Sequence, residues 1–289
     1  MQKAAFLGLG VMGFPMAGHL SEKSGLAVTV FNRTMSKAES WCRKYKGQYA
    51  ATPAESVKDA DIVFICVGND DDLRAILTGP NGVMDTIKTG TIIVDHTTVS
   101  AEISREMAAL FAKKDVSFLD APVSGGQAGA EKGQLSVMTG GNPQAFDIAA
   151  PIIRQSYAKE IRLIGDTGAG QTAKMINQIC IAGVVQGLAE GLAFGQKAGL
   201  NMTEVLSVIS QGAAQSWQMQ NRSETMLAGK FDYGFALDWM IKDLEIALAE
   251  AARNGASLPN TKTILEYYKE LSAQGDGRLD TSALIKRLA

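Results

Sequence analysis

The chain has 289 residues, of which 46% are hydrophobic and 20% are charged, and this suits one or two globular domains with a buried core. Its net charge of -2 argues against a nucleic-acid or membrane-surface partner, because both favour a basic face. Cys42, Cys66 and Cys180 lie far apart without metal-ligand spacing, which predicts reduced thiols, with Cys66 in the core, and no metal site. Since no stretch approaches the roughly 20 apolar residues of a membrane span, we expect a soluble, cytoplasmic protein.

The first part of the chain alternates short apolar runs with helical stretches. The runs predict strands, and several are apolar at consecutive positions, as in strands buried on both faces. Helices are predicted between them at 12–23, 36–45, 100–113 and 143–156. This alternation predicts a mainly parallel sheet wrapped by helices, which is an α/β domain. The predicted strands are 4–9, 28–32, 61–68, 91–97, 116–122, 135–141 and 160–165.

The pattern changes after Gly165, where no further strand is predicted. Periodic apolar positions predict helices at 170–198, 203–211, 242–254 and 260–272. We therefore expect two domains, an α/β domain over 1–163 and an all-α domain over 164–289. The first helix is long enough to join them.

That long helix carries glycines at every fourth position, which places them on one face. Each glycine costs on the order of 1 kcal/mol in a helix relative to alanine, and close approach of another backbone is the usual compensation. We expect a packing seam here, either within the subunit or across a homodimer or homotetramer. Gln186 and Glu190 interrupt the segment and argue against a membrane span. The glycines are Gly183, Gly187, Gly191 and Gly195.

The first predicted strand ends in a GxGxxG turn that opens the first helix. In this strand–turn–helix context the pattern indicates a dinucleotide-binding Rossmann domain. The first glycine permits the tight turn, the second lets the cofactor pyrophosphate approach the backbone, and the third lets the helix pack on the strand. The pyrophosphate then lies at a helix N-terminus. The predicted cofactor-binding residues of this turn are Gly8, Leu9, Gly10, Val11, Met12 and Gly13.

The end of the second predicted strand distinguishes NADP from NAD. An acidic residue there would bond the ribose 2′-hydroxyl of NAD and would repel the 2′-phosphate of NADP. The chain has Asn32, Arg33 and Thr34 instead. A guanidinium can bind that phosphate through two hydrogen bonds, and the amide and hydroxyl can add neutral ones. The sequence therefore predicts NADP, with NAD as the weaker alternative and an ordinary solvated Arg33 as the other interpretation.

A serine-glycine-glycine loop follows the strand predicted at 116–122. It consists of Ser124, Gly125 and Gly126. Such a loop can present backbone N–H groups and a hydroxyl to an anion, and a substrate carboxylate is the most plausible one. A purely structural glycine turn would have the same sequence.

The start of the long helix carries a polar face. Lys174, Asn177 and Gln178 stand at positions i, i+3 and i+4, so they share one side of the helix. That side continues as apolar residues, which indicates that it faces inward. Because polar groups on an inward face need partners, we expect these three to line a cavity.

Four segments of the chain resemble the β-hydroxyacid dehydrogenase family, which includes 3-hydroxyisobutyrate dehydrogenases, tartronate semialdehyde reductases and glyoxylate/succinic semialdehyde reductases. The segments follow the family's order over almost the whole chain. The resemblance implies a Rossmann domain, a helical second domain and an active site in the cleft between them. The segments are GLGVMGFPM at 8–16, DAPVSGGQAGAEKGQLSVMTGG at 120–141, GAGQTAKMINQ at 168–178 and KDLEIAL at 242–248.

The resemblance also implies roles for individual residues. Lys174 would be the catalytic lysine, and the loop at 124–126 would hold the substrate carboxylate. Many relatives have asparagine where this chain has Gln178, so whether Asn177 or Gln178 contacts substrate stays open. The remaining substrate-side residues would be Phe235 and Asp243, and Val67, Gly68 and Thr98 would line the nicotinamide half of the cofactor. Asn69 and Lys242 would also bind the cofactor, and Lys242 and Asp243 would close the cleft from the helical domain.

These features predict an oxidoreductase that transfers hydride between NADP(H) and a small carboxylate-bearing aldehyde or β-hydroxyacid. The Lys174 ammonium would stabilise charge on the aldehyde oxygen and donate the proton. The alternatives are a non-catalytic protein that senses NADP and an imine or amine oxidoreductase on the same scaffold, and the lysine argues against both. We interpret His19 and His96 as structural, and Trp217 and Trp239 as core residues.

Overall fold

The computed structural model describes residues 1–288. The chain divides into two compact units, Met1–Lys174 and Met175–Ala289. The division falls inside one long helix, because the first turns of that helix pack with the first unit. The sequence-based boundary at residue 163 instead falls inside the last strand, Ala158–Gly165.

The first unit is built on a nine-stranded sheet with the order β3-β2-β1-β4-β5-β6-β8-β7, and β9 pairs with β8. Pairing is parallel from β3 through β6, and β8 runs antiparallel to β6 and β7. The strand order reverses between β1 and β4, which creates the crevice where parallel α/β sheets bind ligands. The strands are β1 Lys3–Leu7, β2 Ala27–Phe31, β3 Gln48–Tyr49, β4 Ile62–Ile65, β5 Ile92–Asp95, β6 Ser117–Asp120, β7 Val123–Ser124, β8 Leu135–Gly141 and β9 Ala158–Gly165.

Helices cover both faces of this sheet, so its central strands are buried on both sides. Along β1, Phe6 belongs to one hydrophobic cluster and Leu7 to the other, and along β4 Phe64 and Ile65 alternate in the same way. The predicted α/β class with a mainly parallel sheet is confirmed. The helices are α1 Gly13–Lys23, α2 Met35–Lys44, α3 Pro53–Val57, α4 Asp70–Thr78, α5 Ala101–Ala112, α6 Gly126–Lys132 and α7 Pro143–Ser156.

Within the part of the second unit that the structure describes, residues 175–288, all named elements are helical. An isolated bridge between Ala236 and Asp280 is the β pairing recorded there. The predicted all-α class of this part is confirmed. The helices are α8 Ala169–Lys197, α9 Met202–Ile209, α10 Trp217–Leu227, α11 Leu237–Asn254 and α12 Pro259–Leu271, followed by a π-helical turn at Ser272–Asp276 and a 3-10 helix at Thr281–Leu288.

By length and hydropathy alone, α8 is apolar enough to cross a membrane, although 44% of its most apolar window is buried within the chain. The helix contributes Ala182, Val185, Ala189 and Leu192 to the hydrophobic core of the second unit. A core helix passes the same length and hydropathy test, so this feature is weak support for a membrane span.

The opposite side of α8 is exposed, and we call it the outer face of α8. Gly187 and Gly191 lie on this face, and a Cβ built on either would meet no atom within 4 Å. The expectation of a seam within the subunit is therefore wrong at these two positions, because no other part of the described chain lies against them. The outer face consists of Ile176, Cys180, Val184, Gly187, Gly191 and Phe194, all exposed.

The two tryptophans that we expected in the core are also exposed. Trp217 has 54% of its surface accessible and Trp239 has 41%. The cation Lys242 lies 5.7 Å from the Trp239 ring centroid, and Arg222 lies 4.9 Å from that of Trp217. The prediction was wrong because a large aromatic ring can be covered on one side by a cation while its other side stays in water.

Candidate active site

The glycine turn after β1 has the steric features that the GxGxxG pattern requires. Gly8 has a φ of +97°, and a Cβ there would lie 2.2 Å from the carbonyl oxygen of Cys66. A Cβ at Gly13 would lie 2.0 Å from the carbonyl oxygen of Gly8, whereas one at Gly10 would meet nothing within 4 Å. The first and third glycines are thus needed for packing inside the protein. The second leaves the backbone open to a ligand, and this open cradle fits a dinucleotide.

Of the residues after β2, Asn32 has a structural role and Arg33 is exposed to solvent. Asn32 accepts the Leu9 N–H at 2.9 Å and donates to the Thr34 carbonyl at 3.0 Å, so its amide joins the glycine turn to the end of β2. The Arg33 side chain is 88% exposed and lies 3.2 Å from the Asp72 carboxylate at the start of α4. Of these residues, Arg33 is the one that presents a cation to solvent.

The loops after β4 and β5 are bonded to each other. The Val67 N–H donates to the Thr97 hydroxyl at 3.1 Å. Asn69 caps α4 by accepting the Asp72 N–H at 2.8 Å. Gly68 and Thr98 are partly exposed in these same loops. Because β4 and β5 are adjacent and parallel, Val67, Gly68, Asn69 and Thr98 meet at the carboxyl ends of these strands, whereas Lys242 lies on the helix Leu237–Asn254 of the second unit.

The serine-glycine-glycine loop leads from β7 into α6. Gly125 has a φ of +131° and Gly126 a φ of +61°, which are conformations that favour glycine. Both glycines are exposed, and Ser124 is half-buried beside them. The loop is therefore accessible to a small ligand, and its conformation explains why glycine occupies both positions.

Lys174 lies in the first turns of α8 and is 7% exposed. Three residues earlier, the fully buried Gln171 binds the loop after β5: its amide donates to the Thr97 carbonyl at 2.7 Å and accepts the Val99 N–H at 3.2 Å. The lysine therefore follows directly after a turn that is tied to the predicted nicotinamide-side loop. A titratable side chain buried at such a place is a typical feature of functional sites.

Farther along α8, Gln178 is buried and bridges two neighbours. Its amide oxygen accepts from Asn177 at 2.8 Å, and its amide nitrogen donates to Asp243 at 2.6 Å. Asp243 is 2% exposed and also forms an ion pair with Lys242 at 3.2 Å. Gln178 thus holds the α11 carboxylate in place within the second unit. Phe235 is half-buried, and its N–H donates to Asp280 at 2.9 Å.

Two buried acids lie at the ends of neighbouring strands. Asp95 and Asp120 are register partners on β5 and β6, and both are fully buried. Burial raises the pKa of Asp95 to about 7 and that of Asp120 to about 6, although hydrogen bonds from Thr97 and from the start of α8 act in the opposite direction. These carboxyls therefore titrate near neutral pH.

The two histidines have structural partners, in line with their interpretation from the sequence. His96 is buried, donates from Nδ1 to the Ala121 carbonyl at 2.7 Å and accepts the Tyr157 hydroxyl at 2.8 Å. Burial lowers the pKa of His96 to about 4, which keeps the ring neutral. His19 donates to the Glu131 carbonyl at 2.9 Å. Among residues 1–288, no group of three or more His, Cys, Asp or Glu is arranged to hold a metal ion.

Comparison with known proteins places the whole chain in one family. Residues 3–165 match the model of the NAD binding domain of 6-phosphogluconate dehydrogenase, and residues 168–288 match that of the NAD-binding of NADP-dependent 3-hydroxyisobutyrate dehydrogenase. An uncharacterized oxidoreductase of Shewanella frigidimarina is 56% identical over 100% of this chain and 98% of its own. The chain belongs to the β-hydroxyacid dehydrogenase family.

Other members of the family show the same extent of similarity. The 2-hydroxy-3-oxopropionate reductase of Escherichia coli is 35% identical over 99% of this chain and 97% of its own. The 3-hydroxyisobutyrate dehydrogenase of Mycobacterium tuberculosis has a solved structure that covers 100% of this chain and 99% of its own, with 30% identity and a TM-score of 0.89. The chain is thus an oxidoreductase of this family with a nicotinamide cofactor, as the sequence motifs predicted.

Sequence reasoning missed three buried polar residues of this dehydrogenase, namely Asp95, Asp120 and Gln171. A signal was available for the acids, since the predicted strands 91–97 and 116–122 each carry an aspartate two residues before their end. Gln171 had no signal of its own, because its partners Thr97 and Val99 lie more than 70 residues away in the chain. Only the folded arrangement relates it to the lysine.

Proposed function

We propose that this dehydrogenase transfers hydride between NADP(H) and a small carboxylate-bearing aldehyde or the matching β-hydroxyacid, with Lys174 as acid and base. The observation that carries the proposal is the burial of Lys174 directly after a turn bonded to the Thr97–Val99 loop. A buried lysine beside the predicted nicotinamide side is suited to proton transfer at a substrate oxygen.

The preference for NADP rests on Arg33. Its guanidinium is exposed and is held by a single surface ion pair with Asp72, which is a weak interaction that a 2′-phosphate can replace. The family model for residues 168–288 is named for an NADP-dependent enzyme, which agrees with this choice. Asn32 supports the site indirectly, by holding the turn between β1 and α1.

The carboxylate of the substrate is assigned to the loop at 124–126. Its two glycines are exposed and leave the backbone accessible, and the serine adds a hydroxyl. The relatives from Escherichia coli and Mycobacterium tuberculosis are named for 2-hydroxy-3-oxopropionate and 3-hydroxyisobutyrate, which are both small carboxylates. We therefore expect an anionic substrate with its reacting carbon close to the carboxylate.

The reacting groups have complementary tasks. NADPH supplies the hydride when it is bound. The Lys174 ammonium stabilises the negative charge that grows on the aldehyde oxygen and then donates a proton to it. In the oxidative direction the neutral amine accepts the proton of the hydroxyl group. Gln178 fixes Asp243, which keeps that carboxylate in a single orientation.

We also propose that the protein is a homodimer or homotetramer in which the outer face of α8 packs against another copy. The residues of this face are apolar or glycine, with the exposed Glu190 at its border, and Phe194 is 75% exposed. Gly187 and Gly191 leave room for a backbone to approach, which would offset the cost of glycine inside a helix.

The experiment that tests the reaction follows the absorbance of reduced nicotinamide with a panel of aldehydes. The panel contains glyoxylate and the succinic, tartronate and methylmalonate semialdehydes, each with NADPH and with NADH. We expect turnover with at least one carboxylate aldehyde, and a lower KM for NADPH than for NADH. A matched aldehyde without a carboxylate, propanal, should react poorly. Tight NADPH binding without turnover on any aldehyde would favour a sensor, and turnover only with imines would favour an imine reductase.

A further inference from the structure

The N-terminus of α8 is capped by a carboxylate from a distant strand. Asp120, at the end of β6, accepts the Gly168 N–H with Oδ1 at 2.7 Å and the Gln171 N–H with Oδ2 at 2.9 Å. The first N–H groups of a helix have no partner within the helix, and a negative charge is favoured at this end of its dipole. Asp120 therefore fixes the position at which α8 begins.

Glycines allow this close approach of the helix to the sheet. A Cβ at Gly170 would lie 2.5 Å from the carbonyl oxygens of both Asp120 and Met138, and a Cβ at Gly140 would lie 2.7 Å from the Asp120 carboxylate. Such distances are far below normal contact, so neither position accepts a side chain without moving the helix. The start of α8 is thus pressed against the ends of β6 and β8, with its N–H groups aimed at one carboxylate.

Gln171 adds a second attachment in the same turn. Its side-chain amide donates to the Thr97 carbonyl and accepts from the Val99 N–H, on either side of Thr98. The Thr97 carbonyl needs a donor and the Val99 N–H needs an acceptor, and the amide at the end of a glutamine side chain supplies both. The side chain is fully buried, so water does not replace a lost bond.

We propose that Asp120 and Gln171 are positioning residues for Lys174. Asp120 sets where α8 starts, and Gln171 sets the first turn against the Thr97–Val99 loop, so the lysine three residues later has a fixed location beside that loop. The inference rests on the proposed role of Lys174 as acid and base. Because a misplacement of about 1 Å in a reacting group costs on the order of 100-fold in rate, a loosened start of α8 lowers kcat while substrate and cofactor still bind.

The test uses the full-length enzyme, NADPH and the panel aldehyde with the highest kcat/KM. Asp120→Asn keeps the shape of the side chain but replaces one accepting oxygen by an amide N–H, so one of the two backbone N–H groups at the start of α8 loses its acceptor. Gln171→Met keeps the length of the side chain and removes both of its polar groups. We expect each variant to lower kcat by about 10- to 100-fold and to leave the KM for the aldehyde nearly unchanged. If Asp120→Asn does not fold, Gln171→Met carries the test.

A helix cap elsewhere in the same unit provides the control. Asn142 caps α7 by accepting the Ala145 N–H at 3.0 Å, and α7 carries no residue assigned to the reaction. Asn142→Ala should lower the melting temperature and leave kcat as in the wild type. A loss of stability by itself therefore does not produce the expected fall in kcat.

A double-mutant cycle separates positioning from a general structural role. In the Lys174→Ala background, single-turnover NADPH oxidation should be equally slow with and without Asp120→Asn, because the group to be positioned is gone. An equal loss in both backgrounds would overturn the inference, as would wild-type kcat in both Asp120→Asn and Gln171→Met. If Lys174→Ala keeps wild-type turnover, the proposed role of the lysine fails, and with it the inference that rests on it.

Discussion

The first turn of α8 and the end of β2 differ in how firmly they hold their charged groups. At α8, Lys174 is 7% exposed and follows a turn that Asp120 and Gln171 attach to the sheet and its loops. At β2, Arg33 extends 88% of its side chain into solvent and pairs with Asp72. Both positions carry a cation proposed to act on a ligand, yet one is rigidly built in and the other is free to move.

The difference matches what each cation is proposed to do. Stabilising charge that develops during a reaction needs a donor already in place, because reorganisation during the reaction adds to the barrier. Selecting between two cofactors needs only a group that can reach a phosphate. An exposed ion pair is worth about 0–1 kcal/mol, so Arg33 can exchange Asp72 for a 2′-phosphate at little cost. We therefore expect changes near Lys174 to affect kcat and changes at Arg33 to affect the KM of one cofactor.

The largest effect is expected from Lys174→Ala. Loss of the proton donor should lower kcat by about 1,000-fold, while NADPH binding, measured by fluorescence titration, stays unchanged. Lys197→Ala, which alters an exposed lysine at the end of the same helix, is the matched control and should behave as the wild type. Substantial turnover by Lys174→Ala would remove the lysine from the mechanism.

The next largest effect is expected from Arg33→Ala. Loss of charged hydrogen bonds to a 2′-phosphate should raise the KM for NADPH by about 10- to 100-fold and leave the KM for NADH unchanged. Asp72→Asn should act in the opposite direction, because it releases Arg33 and removes a nearby negative charge. Steady-state kinetics with both cofactors measures the two effects.

An exposed arginine away from the proposed site controls for a general loss of positive charge. Arg162 on β9 is 75% exposed and pairs with Glu160 at 2.7 Å. Arg162→Ala should leave both KM values as in the wild type. A wild-type KM for NADPH in Arg33→Ala would contradict the assignment of NADP to this residue.

A smaller effect, on stability, is expected from Asp95, which is buried at the end of β5. Burial raises the pKa of this carboxyl to about 7, compared with about 3.9 in an unfolded chain. Between these values the folded state binds more protons, so this group lowers the free energy of unfolding as the pH rises. Its contribution is at most about 1.4 kcal/mol per pH unit.

Asp95→Asn should remove this contribution. Relative to the wild type, the variant should become more stable as the pH rises from about 4 to 7, which urea denaturation at several pH values measures. Asp120 and His96 are present in both proteins, and Asp120 loses the neighbouring negative charge of Asp95 in the variant. A stability difference that is constant across this range would show that Asp95 does not titrate there.

The smallest effect on the folded chain is expected from replacing both Gly187 and Gly191 with leucine. The space above them is empty, so the side chains fit and helix propensity improves by roughly 0.8–1 kcal/mol per position. If another copy packs there, the leucines should reduce the mass measured by light scattering. An unchanged mass would contradict the proposed interface, and so would a monomeric wild type.

The sequence was sufficient for elements with a long, clear pattern. The strands of the parallel sheet and α7 were predicted closely, because buried runs and a capped amphipathic helix have strong signals. β3, β7, α3 and α6 are too short for periodicity to be visible, and α10 was missed because its sequence is polar. Lys174 and Gln178 were predicted to face inward from their spacing, and both are buried. The bond from Gln178 to Asp243 could not be predicted, because it depends on how α8 and α11 pack.

The exposure of the Arg33–Asp72 ion pair also means that Arg33 and Lys174 should respond differently to ionic strength. At about 0.1 M salt the Debye length is about 10 Å, so attraction between an exposed guanidinium and a phosphate is weakened, while the buried surroundings of Lys174 exclude the salt ions. If Arg33 binds the 2′-phosphate as proposed, the preference for NADPH over NADH should decrease as the salt concentration rises. If Lys174 is the acid and base as proposed, its burial should make kcat much less dependent on the salt concentration.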